Sequence, residues 1–106
     1  MDMNKMMQQV QELQAQMAQA QEELKNETVE ASAGGGMVTV KVSGDLVVKS
    51  IVIAAEAIDP DDPELLQDMV LAATNEALRA AQELQQSRLG GLTGGMDLGS
   101  LGLPGF

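Results

Sequence analysis

The chain opens with a long stretch of helical periodicity. Apolar residues recur at alternating spacings of three and four, with Gln, Glu and Lys filling most positions between them: Met3, Met6, Val10, Leu13, Met17, Ala20 and Leu24. This period of 3.5 is typical of a coiled-coil seam. Because neither Gly nor Pro interrupts residues 3–25, we predict a first helix about 35 Å long at a rise of about 1.5 Å per residue.

The apolar seam of this helix is too narrow and too long for a small sheet to cover well. It either packs on the surface of its own subunit or meets a second helix. We favour self-association, and a chain of this size gains buried surface by oligomerising. The residues assigned to a dimer interface are Met6, Val10, Leu13, Met17 and Leu24.

From residue 27 the pattern changes to a period of two, which predicts β-strands. Three strands are expected over 27–33, 37–43 and 46–53, joined by short glycine-containing turns. The second strand should direct alternate valines inward, and the third has apolar residues on both faces, which predicts burial on both sides. The result is an antiparallel meander whose outer edges need a cover, such as the sheet of a second subunit.

A second helix is predicted from Pro63 to about Arg88. Asp62 suits the N-cap position and Pro63 the first helical position. An apolar stripe of helical period follows: Leu66, Met69, Val70, Ala73, Ala77, Ala80, Ala81 and Leu84. Residues 90–106 are rich in Gly and Leu, which predicts a flexible tail. We therefore expect one α+β domain over 1–89, of order α-β-β-β-α.

Composition excludes most catalytic chemistry. The 106 residues include no Cys and no His, so thiolate nucleophiles, Cys/His zinc sites and the usual general base are absent. The glycines at 34–36 lack the context of a phosphate-binding loop, and the acidic run from Asp59 fails the calcium-loop pattern because its sixth position is Glu64 and its twelfth Val70. We predict that the protein is not an enzyme and needs no metal, cofactor or small-molecule substrate.

Charge and hydropathy narrow the partners further. No secretory leader or membrane-length apolar run is evident, which predicts a cytoplasmic protein without a membrane partner. The formal charge is −10, from 16 acidic and 6 basic residues, and six of the acids lie within residues 56–68. Contact with a polyanion must therefore use a local patch. Phe106 is the only aromatic residue, so stacking of unpaired bases is disfavoured.

Five short strings, in this order and spacing, resemble the YbaB/EbfC family of bacterial nucleoid-associated proteins. They are QEEL at 21–24, GGGMV at 34–38, IDP at 58–60, AATNEA at 72–77 and LPGF at 103–106. The resemblance covers essentially the whole chain. It implies a homodimer with joined sheets and projecting, tweezer-like helices. It also implies binding to double-stranded DNA with little sequence preference, a place in the nucleoid, and a role in nucleoid organisation and gene expression.

This sequence departs from the family pattern on the first helix, where relatives often carry more Lys and this chain has Gln and Ala. We expect phosphate contacts from Lys5, Lys25, Arg79 and Arg88, supported by hydrogen bonds from Gln side chains. Two alternatives remain. The Met-rich helices also suit a prefoldin-like holdase, and the tail or the helix seam suits a protein–protein adaptor.

Overall fold

The computed structural model describes residues 2–92. Two helices, α1 (Met3–Asn26) and α2 (Pro63–Leu92), enclose three strands, β1 (Thr28–Ala33), β2 (Val38–Ser43) and β3 (Val48–Ile53). The strands form one antiparallel sheet in the order β1-β2-β3, and a short 3-10 turn at Ala55–Ala57 precedes α2. The predicted α+β order of helix, meander and helix is confirmed. The predicted tail lies, from residue 93 onward, outside the described residues.

The core lies where α2 crosses β1 and β2. Val38, Val40 and Val42 of β2 are fully buried. They pack against three alanines spaced four apart on α2, namely Ala73, Ala77 and Ala81, which are also fully buried. Because Ala has no side chain beyond Cβ, the helix axis approaches the sheet closely. The predicted inward faces of the second strand and second helix are confirmed.

The prediction that β3 is buried on both sides is wrong for the single chain. Residues 48–52 are all exposed, including Val52 at 62% and Ile51 at 46%. The physical reason is the width of the helix layer, because α2 packs on β1 and β2 and leaves β3 uncovered. The sequence shows that β3 is apolar on both faces but not whether its own chain supplies the cover.

Specific contacts explain where α2 begins and where it ends. At its start, the backbone N–H of Leu65 donates to Asp62 Oδ1 over 3.3 Å, which confirms the predicted cap. At its end, the helix continues through Gly90 and Gly91 to Leu92, beyond the predicted end near Arg88. Just before the glycines, Arg88 pairs with Glu23 and Glu27, and the half-buried Leu89 lines a groove shared with α1. These contacts offset the low helix propensity of the glycines.

The two helices run antiparallel over their C-terminal parts, and α1 then projects beyond α2. Gln85 and Leu89 of α2 lie beside Leu24, and Gly91 lies beside Gln16 and Ala20. Ala20 and Leu24 are the two buried residues of α1. The preceding two-thirds of the helix is mostly exposed, which gives the molecule its elongated outline of 71 × 29 × 15 Å.

Gly44 fixes the distance between α1 and the turn after β2, so a methyl group there should destabilise the fold. An added Cβ would lie 2.6 Å from the Leu24 carbonyl oxygen and 3.0 Å from Leu24 Cα, and backbone atoms cannot move aside cheaply. We expect Gly44→Ala to lower the free energy of unfolding by about 1–3 kcal/mol, measured by urea denaturation.

Gly90→Ala is the matched control. Nothing lies within 4 Å of a Cβ at that helical position, so stability should stay equal or rise by up to about 1 kcal/mol. Equal losses for the two variants would show that the contact at Gly44 does not restrict this turn.

Candidate nucleic-acid interface

The four predicted phosphate-contacting residues are all exposed, but they do not form one cluster. Lys5 and Lys25 lie near opposite ends of α1, and Arg79 and Arg88 lie in the second half of α2. At about 1.5 Å per residue, Lys5 and Lys25 are roughly 30 Å apart along the helix. That separation approaches one turn of B-form DNA, about 34–36 Å.

The surface of α1 between these lysines is rich in glutamine. Seven exposed glutamines lie between them: Gln8, Gln9, Gln11, Gln14, Gln16, Gln19 and Gln21. A glutamine amide both donates and accepts hydrogen bonds without carrying charge. The helix therefore presents a long polar surface on which direct phosphate attraction is limited to its two ends.

Arg79 is enclosed by carboxylates of its own helix. Its Nε lies 3.1 Å and 3.2 Å from the two carboxylate oxygens of Glu76, and Nη2 lies 2.5 Å from Glu76 Oε1. Nη1 lies 2.5 Å from Glu83 Oε1. Hydrogen bonds from Arg79, and then its charge, hold the pKa of Glu76 below its usual value. Glu76 therefore stays ionised throughout the neutral range, and the pair is lost only as the pH falls through that lowered pKa.

Arg88 links the two helices. Its Nη1 lies 3.4 Å from Glu23 Oε2 on α1, and its Nη2 donates to Oε1 of Glu27, the residue that follows α1. The other oxygen of Glu27 is buried and has no hydrogen-bond partner within the described residues. Arg88 thus supports the junction between α1 and β1 in addition to being a candidate DNA contact.

Lys5 and Lys25 are the predicted cations that remain without an ion pair within residues 2–92. Lys25 borders a groove between α1, the turn at Asp45 and α2. Two cations that the sequence reasoning left out lie on the sheet. Lys41 forms an ion pair with Glu30 at 3.3 Å, and Lys49 is exposed at the bulge in β3. The outward position of Lys41 in the strand alternation was the available signal.

The residues predicted for a dimer interface divide into two groups. Met6, Val10 and Met17 are exposed and Leu13 is half-buried, so they form an apolar stripe on the projecting part of α1. Leu24 is 3% exposed and is packed within its own chain. A dimer role for the exposed members stays a prediction.

The acidic segment lies away from the projecting helix. Residues 56–68 cover the 3-10 turn, the loop after it and the first turns of α2, whereas α1 meets α2 from about residue 85 onward. From Asp68, the last acid of this segment, to residue 85 the helix extends for about 26 Å. This exceeds the Debye length of about 8 Å at physiological salt, so these acids scarcely repel an anion bound at α1.

Within residues 2–92, no group of three or more His, Cys, Asp or Glu side chains is arranged to hold a metal ion. In that part of the chain, neither helix contains an apolar stretch long enough to span a membrane. The chemistry that the structure offers is a long polar helix, a small set of cations and two uncovered apolar surfaces.

These elements define a small α+β protein with a projecting helix. The same fold occurs in the crystal structure of an uncharacterized protein, HP0035 from Helicobacter pylori, with a TM-score of 0.72 and 23% identity over 82% of this chain and 91% of that one.

The sequence model of the YbaB/EbfC DNA-binding family matches residues 1–96, and the chain belongs to this family. It is 51% identical over 100 residues to a nucleoid-associated protein of Alkaliphilus metalliredigens, covering 94% of this chain and 88% of that protein. It is 53% identical over 100 residues to a nucleoid-associated protein of Desulforamulus reducens, covering 94% and 95%. The family resemblance seen in the five sequence strings is confirmed.

Because Arg88 joins two elements, its loss should destabilise the chain more than the loss of Arg79. We expect Arg88→Ala to lower the free energy of unfolding by about 0.5–1 kcal/mol, as for other partly exposed ion pairs, and to speed amide hydrogen exchange over residues 18–26. Arg79→Ala is the control, since its partners share its own helix in solvent. Equal effects of the two variants on unfolding and exchange would contradict a linking role for Arg88.

Proposed function

We propose that this protein is a homodimeric, non-catalytic nucleoid-associated protein that binds double-stranded DNA with low sequence specificity. In this role it contributes to nucleoid organisation and gene expression in the cytoplasm. Membership of a DNA-binding family and relatives named nucleoid-associated proteins support the proposal. The structural observation that carries it is α1, a helix that is exposed over most of its length, projects beyond α2 over its N-terminal two-thirds and has an unpaired lysine near each end, about one DNA turn apart.

The charge pattern of α1 favours backbone contact over base readout. Lys5 and Lys25 are free to meet phosphates, and the glutamines between them can hydrogen-bond to phosphate and sugar oxygens. Such contacts position a protein on DNA but carry no sequence information. Arg79 and Arg88 add to them only where a phosphate replaces a carboxylate partner. Because these contacts are made to the DNA backbone and not to the bases, low sequence specificity follows.

A second copy of the chain is the proposed cover for β3. As an edge strand, β3 has an outer row of backbone groups with no strand partner within the described residues, and its exposed side chains include Val48, Ile51 and Val52. An exposed apolar edge of this kind promotes pairing with another chain. The other edge strand, β1, is less suited to pairing with a second copy. Its exposed side chains include the polar residues Glu30 and Ser32, and its apolar side chains are half-buried under α2.

Dimerisation would also multiply weak DNA contacts. Two copies place two projecting helices on one assembly, with four unpaired lysines along these helices, and the second helix binds at a high effective concentration once the first is bound. The exposed stripe of Met6, Val10 and Met17 then either meets its symmetry mate or remains open.

The exposed methionines support one alternative function, that of a holdase. Met3, Met6 and Met7 are 75%, 48% and 58% exposed at the free end of α1, and flexible thioether side chains suit a holdase that binds unfolded clients. Suppression of aggregation of a denatured client, without a shift of duplex DNA, would favour that function. Neither activity requires catalysis.

Binding to a duplex should be strongly salt-dependent. With about four phosphates neutralised by Lys5 and Lys25 of two protomers, log K should fall against log salt with a slope of roughly −4. We expect Lys25→Gln to weaken binding several-fold and to reduce the slope by about two, because both protomers lose the residue. Fluorescence anisotropy of a labelled random-sequence duplex measures both quantities.

Gln67→Glu provides the control for this experiment, because it changes the net charge by the same amount at an exposed site among the acids of α2. Its effect should stay within about twofold and leave the slope unchanged, as expected for a screened, distant charge. Absence of duplex binding by the wild-type protein at about 50 mM salt, where screening is weak, sinks the DNA-binding proposal.

The oligomeric state should depend on β3. We expect Val52→Lys to convert a dimer to a monomer, because a lysine at this 62% exposed position would place two charges in the shared sheet. Met6→Lys tests the stripe on α1 in the same way. Leu71→Lys is the control, since Leu71 is equally exposed on α2. Light scattering after gel filtration reads the mass; a monomeric wild type rules out the homodimer.

A further inference from the structure

Each of the three guanidinium nitrogens of Arg79 already faces a carboxylate oxygen, so an approaching phosphate competes with these partners. Nε and Nη2 both point at Glu76, and Nη1 points at Glu83. Glu76 precedes Arg79 by three residues and Glu83 follows it by four, so all three side chains lie on one exposed face of α2. Two carboxylates against one guanidinium give this face a net charge of −1, which repels phosphate.

Arg88 is held differently, and the comparison shows which arginine can be released. Its partners belong to another part of the fold, and one of them, Glu27, has a buried oxygen. Moving Arg88 would leave the Glu27 carboxylate, which is 35% exposed, without its charge partner, and water reaches this carboxylate less than it reaches the partners of Arg79. Both partners of Arg79 are more than half exposed, at 51% and 65%, so water can solvate them when the arginine is freed.

The first two turns of α2 offer a comparison within the same helix. Glu64 and Asp68 are exposed, four residues apart, and form no ion pair within the described residues. Removing their charges changes the total charge of the protein as much as removing those of Glu76 and Glu83. However, removing the charges of Glu64 and Asp68 releases no cation from an ion pair. Comparing the two double substitutions therefore distinguishes a local effect on Arg79 from an effect of total charge.

Resting on the proposed DNA-binding function, we propose that Glu76 and Glu83 are affinity-limiting residues that hold Arg79 away from the phosphate backbone. In the wild-type protein, Arg79 keeps its carboxylate partners and the duplex is held by the lysines. When both glutamates become glutamine, the face changes from −1 to +1. The amide oxygens are weaker acceptors than carboxylates, so the guanidinium turns to phosphate.

The test compares duplex binding of Glu76→Gln/Glu83→Gln with that of Glu64→Gln/Asp68→Asn, both in the full chain and over a series of salt concentrations. We expect the first variant to bind about tenfold more tightly at low salt and to steepen the salt slope by about two, one phosphate per protomer. The second should bind within about twofold of wild type at an unchanged slope. Adding Arg79→Ala to the first variant should abolish its gain.

Four outcomes overturn the inference. Equal gains for the two double variants would show an effect of total charge, and a gain that survives Arg79→Ala would show that Arg79 is not the released group. A wild type that binds DNA while the first variant gains nothing also overturns the inference, but leaves the proposed function intact. Failure of every variant to bind the duplex overturns both. Thermal unfolding by circular dichroism confirms that the variants compared are folded.

Discussion

The structure depends on one narrow contact, the packing of three α2 alanines on three β2 valines. All six residues are completely buried, and they hold the helix close to the sheet because alanine adds no bulk between backbone and strand. A single helix at this distance covers about two strands. β3 and most of α1 are therefore left outside the core, and these uncovered surfaces are available for partners.

The same contact separates the charges of the chain. With α2 lying across the sheet, its acidic start and the preceding loop are at one end of the helix, and α1 meets it at the other. A formal charge of −10 is therefore a poor guide to what an approaching polyanion meets. The potential at α1 is set by nearby groups, since distant acids are screened within about 8 Å at physiological salt.

Local periodicity predicted the elements well, because each strand or helix has to match the spacing of its own apolar residues. The alternation of Val38, Val40 and Val42 gave the buried face of β2, and Asp62 before Pro63 gave the start of α2. The end of α2 was predicted too early from Gly90 and Gly91, because their low helix propensity is outweighed by the contacts that Arg88 and Leu89 make with residues more than sixty positions earlier in the chain. The exposure of β3 was missed because sequence shows which surface is apolar but not what covers it.

Residue type was enough to predict the candidate DNA contacts, but it did not show which of them are free to bind a phosphate. Lys5, Lys25, Arg79 and Arg88 are equivalent in a list of cations, whereas the structure leaves the two lysines unpaired, encloses Arg79 by local carboxylates and uses Arg88 to join two helices. The pairs of Arg79 were visible as spacings of three and four on a helix. Those of Arg88 with Glu23 and Glu27 require the antiparallel fold and could not be read from local spacing.

A chain with so few free cations binds DNA weakly through each protomer, and this bears on how the proposed function works. Each lysine that neutralises a phosphate contributes a salt-dependent increment of affinity, and two per helix give little. A dimer doubles the contacts while the second helix binds within one complex. In the proposed dimer, occupancy on DNA would depend on assembly through surfaces such as β3 as much as on the residues that touch phosphate. The narrow core leaves β3 uncovered, and in the proposed dimer this exposed strand is the surface through which a second copy would add its DNA contacts.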